Sequence, residues 1–125
     1  MNPEIKAKWL ERLNDPSIKQ GRMTLKSTTV AGEDIFCCLG VLCEIAVEEG
    51  IIEPPTPRHG IGDSVSMWCY GDGDDVLTMG AGIPPTKVMN WAGLDNLHAG
   101  PRHLPSMNDS GTPFVIIAQY IKEYL

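Results

Sequence analysis

Two short runs of this chain carry residue types that bind anions. In the first, Lys19-Gln20-Gly21-Arg22-Met23-Thr24-Leu25-Lys26, polar and apolar side chains partly alternate. Read as a β-strand over 18–26, the pattern puts Gln20, Arg22, Thr24 and Lys26 on one face, with Lys19 adjacent and Met23 and Leu25 opposite. A guanidinium offers a planar fork that matches two phosphate oxygens, and a lysine adds a point charge. A solvated sheet face accounts for the same pattern, and both readings stand. The second run is Asn108-Asp109-Ser110-Gly111, just ahead of an apolar helical stripe. Free N–H groups at a helix start attract anions, and Asn108 and Asp109 would read hydroxyl or amide groups of a ligand. Capping by Asp109, Ser110 and Thr112 explains the same residues. Trp68, Tyr70 and Trp91 offer rings for stacking a base, with core filling as the competing employment. The candidate ligand-binding set is Lys19, Gln20, Arg22, Thr24, Lys26, Trp68, Tyr70, Asn108, Asp109 and Ser110.

Other chemistry is weaker in the pattern. Cys37, Cys38 and Cys43 lie in an apolar run, with no spacing that converges thiolates on zinc, and Cys69 stands apart. They read as buried reduced thiols acting as small hydrophobes. Asp72, Asp74 and Asp75, with Asp63, would offer carboxylates to a hard cation, but the run lacks full calcium-loop spacing and reads as a solvated turn. His59, His98 and His103 fall in expected loops; His98 and His103 would offer two imidazoles to a metal, but exposed side chains are the favoured reading. No nucleophile elbow, phosphate loop or His-Glu-x-x-His motif is present. No catalytic residue, metal or cofactor is therefore assigned, and the enzyme question leans towards no.

These residues must be positioned by short elements. Asn2-Pro3 opens a helix with Ile5, Trp9 and Leu13 on one stripe, stopped at Asn14-Asp15-Pro16. Phe36–Val47 is apolar almost all round, which predicts a central buried helix closed at Gly50. The proline-rich stretch 51–64 reads as a surface loop. Runs 64–70 and 76–79 flank a glycine-rich turn and read as a hairpin. Pro84-Pro85 opens a short helix through Trp91, residues 95–111 read as irregular, and Thr112-Pro113 starts a last helix with Phe114, Ile117, Ala118, Ile121 and Leu125 inward. About four helices and a small antiparallel sheet predict an α+β fold, one compact domain over 1–125.

Composition narrows the partners. The 125 residues carry a net charge of −6, which argues against bulk nucleic acid and anionic membrane. No apolar run approaches the ~20 residues of a membrane span, and the N-terminus lacks a signal-peptide core, so a cytoplasmic protein is expected. The charge is uneven: residues 1–26 hold six basic and three acidic side chains, whereas 27–125 hold four and thirteen. A local anion pocket thus remains compatible with an acidic chain. Homo-oligomerisation is expected, because a chain this size buries only about two-thirds of its unfolded surface.

The order Trp9, Lys19-Gln20-Gly21-Arg22, then Phe36-Cys37-Cys38-Leu39-Gly40-Val41-Leu42-Cys43 resembles a family of small phage and prophage proteins. Pro84, Val88, Trp91-Ala92-Gly93-Leu94 and Met107-Asn108-Asp109-Ser110-Gly111 with Phe114, Ile117, Ala118 and Ile121 extend the likeness over nearly the whole chain. Residues 51–62 and 98–103 depart from it. The resemblance implies a context and no reaction: an accessory protein in the host cytoplasm acting against host functions. The expectation is a protein that sequesters a small phosphate-bearing ligand, most simply a nucleotide immune signal. The alternatives are an acidic inhibitor of a host protein, using residues 32–75 and resembling nucleic acid in charge, or a metal-dependent nucleotide hydrolase built on Asp109, His103 or the Asp72 cluster.

Overall fold

The computed structural model describes residues 1–59, 65–71 and 82–125. Helix α1, Pro3–Leu13, begins as the sequence requires: Asn2 Oδ1 accepts from the N–H groups of Glu4 and Ile5 at 2.9 and 3.3 Å, and Pro3 fills the first turn. Its stripe of Ile5, Trp9 and Leu13 is buried. The Trp9 indole N–H donates to the Cys38 carbonyl at 2.9 Å, which fastens α1 to the start of α2.

Helix α2, Cys38–Glu48, is the centre of the molecule, with Cys38 through Cys43, Ile45 and Ala46 all buried. Another backbone passes close to this helix at Gly40. A Cβ there would lie 1.7 Å from the Leu25 carbonyl oxygen. The same oxygen accepts from the Cys37 N–H at 3.2 Å, so the 22–25 segment is held across the first turn of α2.

Around this helix the strands are short and antiparallel. β1 (Lys26–Thr28) pairs with β2 (Asp34–Phe36), β3 (Thr56–His59) with β4 (Val65–Cys69), and β5 (His98–Ala99) with β6 (Arg102–His103). α3 (Thr86–Ala92) ends at Gly93 with a left-handed φ of 72°. α4 (Leu104–Asp109) packs on α2, and α5 (Phe114–Tyr124) buries Phe114, Ile117, Ala118 and Ile121 as its stripe requires and lies against α1. Among the described residues, five helices with two-stranded antiparallel sheets make the α+β fold that the sequence predicts. Among the described residues no helix is long and apolar enough to cross a membrane.

Three expectations are corrected. Residues 18–26 do not form a strand: Gln20 makes a single parallel bridge to Phe36, residues 22–25 bend, and β1 starts only at Lys26. Met23 has a φ of 73°, which turns the chain out of extended geometry and destroys the alternation. The proline-rich stretch after Ile52 contains β3, with Pro57 opposite Trp68. A proline lacks the N–H for a second partner, so it suits an edge strand. Residues 95–111 hold β5, β6 and α4 rather than irregular chain. The expected hairpin partner 76–79 and the carboxylates of Asp63, Asp72, Asp74 and Asp75 lie outside the described residues.

Gly40→Ala is expected to destabilise the protein by at least about 2–3 kcal/mol, because backbone rather than a movable side chain blocks the new methyl group. Urea unfolding checks it; an unchanged midpoint would contradict the packing.

Candidate functional site

The two anion-type runs of the sequence meet in space, and a buried amide joins them. Asn108, in the last turn of α4, has no exposed surface. Its Oδ1 accepts from Gln20 Nε2 at 3.0 Å and from the Cys38 N–H at 3.1 Å, and its Nδ2 donates to the Gly21 carbonyl at 2.8 Å. Gln20 extends the network: Nε2 also donates to the Thr112 carbonyl at 2.8 Å, and Oε1 accepts from the Phe114 N–H at 3.1 Å. The first N–H of α5 is therefore capped by a side chain 94 residues away, not by Asp109, Ser110 or Thr112. It is also not free for an anion.

These bonds correct the roles expected of two residues. Asn108 and Gln20 cannot present a recognition edge while their amides hold the protein together. Ser110 Oγ likewise donates to the Met107 carbonyl at 3.0 Å. What remains outward at the junction is narrower. Asp109, half-buried, accepts from the Met23 N–H through Oδ1 at 2.8 Å, and this bond holds the left-handed turn. Met23 is 75% exposed. The exposed Arg22 guanidinium lies over Gly111, where a Cβ would sit 2.9 Å from Nη2, and Gly111 itself has a φ of 95°. Gly111 is thus required both by its backbone conformation and by the approach of Arg22. Lys19 is exposed beside the junction.

Lys26, Trp68 and Tyr70 form a separate cluster around a carboxylate that the sequence did not single out. Glu44 Oε1 lies 3.5 Å from Lys26 Nζ and accepts from the Tyr70 hydroxyl at 2.9 Å. Asp34 is 3.8 Å from the same ammonium, which sits 4.4 Å from the Trp68 ring centre. The Trp68 N–H donates to Thr28 Oγ1 at 2.9 Å. Tyr70 is buried, and burial with the adjacent Glu44 pushes its hydroxyl far above the usual phenol range. Lys26 is neutralised and both rings are engaged, so this cluster offers neither an anion site nor a free stacking platform. The signal for it is that Glu44 is the one charged residue in the apolar run 36–47. Thr24, between the clusters, has a buried hydroxyl without a hydrogen-bond partner among the described residues.

The model for a domain of unknown function, DUF8296, matches residues 1–125. The chain belongs to the DUF8296 family. No curated protein and no solved structure matches it.

Folding also redistributes the charge of this DUF8296 chain. Of the six N-terminal cations, Lys8 pairs with Glu49, Arg12 with Glu48, and Lys26 with Glu44 and Asp34. The basic quarter and the acidic remainder are thereby stapled together, which removes four acids of the 32–75 run from a freely presented negative surface. Lys6, Lys19 and Arg22 make no ion pair among the described residues, and the Lys6 ammonium donates to the Lys122 carbonyl at 3.0 Å. His103 and Asp109, named together for a hydrolase, sit at opposite ends of α4, about 9 Å apart along its axis.

The thiols behave as core atoms. Cys37, Cys38 and Cys43 are buried, and Cys37 Sγ accepts from the Gly40 N–H at 3.4 Å as a helix cap. Burial raises the Cys37 thiol from the ordinary 9.0 to about 11 and lifts Cys38 and Cys43 well above it.

Two outcomes follow. Asn108→Ala leaves the Cys38 N–H, the Gly21 carbonyl and a Gln20 amide proton without their partner, so a loss of at least about 3 kcal/mol is expected in urea unfolding. A loss below about 1 kcal/mol would show that the amide is not a structural tie. Because the Cys37 thiol is raised on folding, its contribution is fully present below the unfolded value near 9 and is lost as pH climbs towards 11. Stability should fall across that window, and at pH 8 only half-buried Cys69 should react promptly with Ellman's reagent in the native protein. Rapid reaction of all four thiols would contradict the buried placement.

Proposed function

We propose that this protein binds and sequesters a small phosphate-bearing ligand, a nucleotide signal, at the surface formed by Lys19, Arg22 and the 109–111 turn. One observation carries the reading: the exposed Arg22 guanidinium is laid over Gly111 without a carboxylate partner among the described residues, while Lys8, Arg12 and Lys26 are all paired. The backbone beneath Arg22 is held in a left-handed turn by Asp109, and such strain persists where surrounding structure over-determines it. In this reading Arg22 forks onto phosphate oxygens, Lys19 adds charge, and the free oxygen of Asp109 accepts from a ligand hydroxyl. Exposed Met23 supplies the apolar contact that Trp68 and Tyr70 were expected to give. The planar guanidinium also offers a face against a base.

The context comes from the resemblance to small phage proteins, whose accessory members act against host functions. A protein that retains a nucleotide signal unchanged fits that role without catalytic residues. A second copy of the chain would add further cations to the same ligand.

Titration calorimetry against cyclic dinucleotides, cyclic ADP-ribose forms and pyrophosphate tests the reading. At least one ligand should bind, and Arg22→Ala should weaken it by about tenfold or more, the range of a charge-assisted hydrogen bond. Ligand released on denaturation should be chemically intact, whereas a cleaved product identifies a hydrolase. Absence of heat with every member contradicts the proposal.

A further inference from the structure

The hairpin β5–β6 brings two imidazoles together. His98 and His103 are cross-strand partners. The next rung is hydrogen-bonded, with the Leu104 N–H donating to the Leu97 carbonyl at 2.8 Å. His98–His103 is therefore a non-hydrogen-bonded pair, the type whose side chains approach most closely in an antiparallel ladder. The ring centres are 5.0 Å apart and the planes are inclined by 53°. Metal–nitrogen bonds of about 2.0–2.1 Å, with each ring centre roughly 1.1 Å further out, place two imidazoles on one tetrahedral or cis-planar ion about 4.5–5.2 Å apart. The observed separation falls inside that interval.

The hairpin is also fixed, and the His103 ring is oriented. Gly100, at a φ of 61°, packs its backbone so closely on Tyr124 that a Cβ would meet the ring at 2.4 Å. The Arg102 guanidinium lies 5.7 Å from the Tyr120 ring centre. The backbone N–H of His98 donates to Asn96 Oδ1 at 2.9 Å, which fixes the strand start. His103 Nδ1 is 2.8 Å from Ser106 Oγ. With Nδ1–H donating to that hydroxyl, Nε2 presents its lone pair outward, the outer contact that orients metal-binding histidines. Both side chains are exposed, so an ion and its remaining water ligands have access. Among the described residues no group of three His, Cys, Asp or Glu side chains forms here.

We infer that His98 and His103 form a two-imidazole site for a divalent first-row transition ion, such as zinc or nickel, with water completing its coordination. Imidazole pairs select such ions over magnesium, which prefers oxygen ligands. The inference is independent of the phosphate-binding reading, since it uses none of the same residues.

Calorimetric titration of the full chain with Zn²⁺, Ni²⁺ and Mg²⁺ tests it. One zinc or nickel ion per chain is expected, with no response to magnesium. His98→Ala and His103→Ala should each weaken binding at least about tenfold, and Ser106→Ala, which keeps both ligands, should weaken it by roughly tenfold. His59→Ala should bind like the unaltered chain, and circular dichroism confirms that each variant is folded. The site is overturned if neither zinc nor nickel binds, if magnesium binds equally well, or if the folded His98→Ala and His103→Ala variants retain full affinity.

Discussion

Asn108 has none of its surface exposed, and its single amide joins the Gln20–Gly21 turn, the first N–H of α2 and the last turn of α4. A buried amide left unpaired costs about 1–3 kcal/mol for each missing bond, so the network forms fully or the surrounding segments separate. Gln20 passes the constraint on to Thr112 and to the start of α5. The adjacent Asp109 then fixes Met23 and hence the direction of Arg22. The outward surface is therefore set from beneath by a polar junction, while the apolar side of the same elements closes on α2.

Charge has a similar division of labour. Taken along the chain, a basic first quarter precedes a strongly acidic remainder, which suggests two separate surfaces. In space Lys8, Arg12 and Lys26 are matched to Glu49, Glu48, Glu44 and Asp34. The exposed pairs on α1 and α2 contribute little stability in water. The Lys26 cluster is more enclosed, and Trp68 and Tyr70 complete it by covering the ammonium and donating to the carboxylate. Lys6, Lys19 and Arg22 lie outside this matching; Lys6 is tied to the Lys122 carbonyl, and Arg22 over Gly111 gives the proposed phosphate site its place.

The fold was legible where a local rule decides. Asn2-Pro3 and the Ile5, Trp9, Leu13 stripe mark α1, the apolar run marks α2, and the Phe114 to Ile121 spacing marks α5. It was illegible where a distant partner decides. Residues 18–26 alternate like a strand, yet Asp109, 86 residues away in sequence, holds Met23 in a conformation no strand contains. α4 has six residues, too few for a periodicity to emerge, and β3 hides behind prolines that an edge strand tolerates. At the candidate site, the fold brings Gln20 and Arg22 beside Asn108 and Asp109. Their division into buried ties and outward groups was not readable, because an amide has the same letter in a core as on a ligand edge. Glu44 and Gly40 show the same limit: each answers to a group from another segment, Tyr70 for one and the Leu25 carbonyl for the other.

In the proposed function, the junction of 19–23 with 109–111 is the place where the protein meets an anion. Backbone amide chemical shifts followed by NMR during titration with pyrophosphate test this most directly, since they report position as well as binding. Saturating shifts are expected at Lys19–Met23 and Asp109–Gly111, with residues around Lys26, Glu44 and Tyr70 unmoved. No shifts, or shifts centred on the Lys26 cluster, would contradict it.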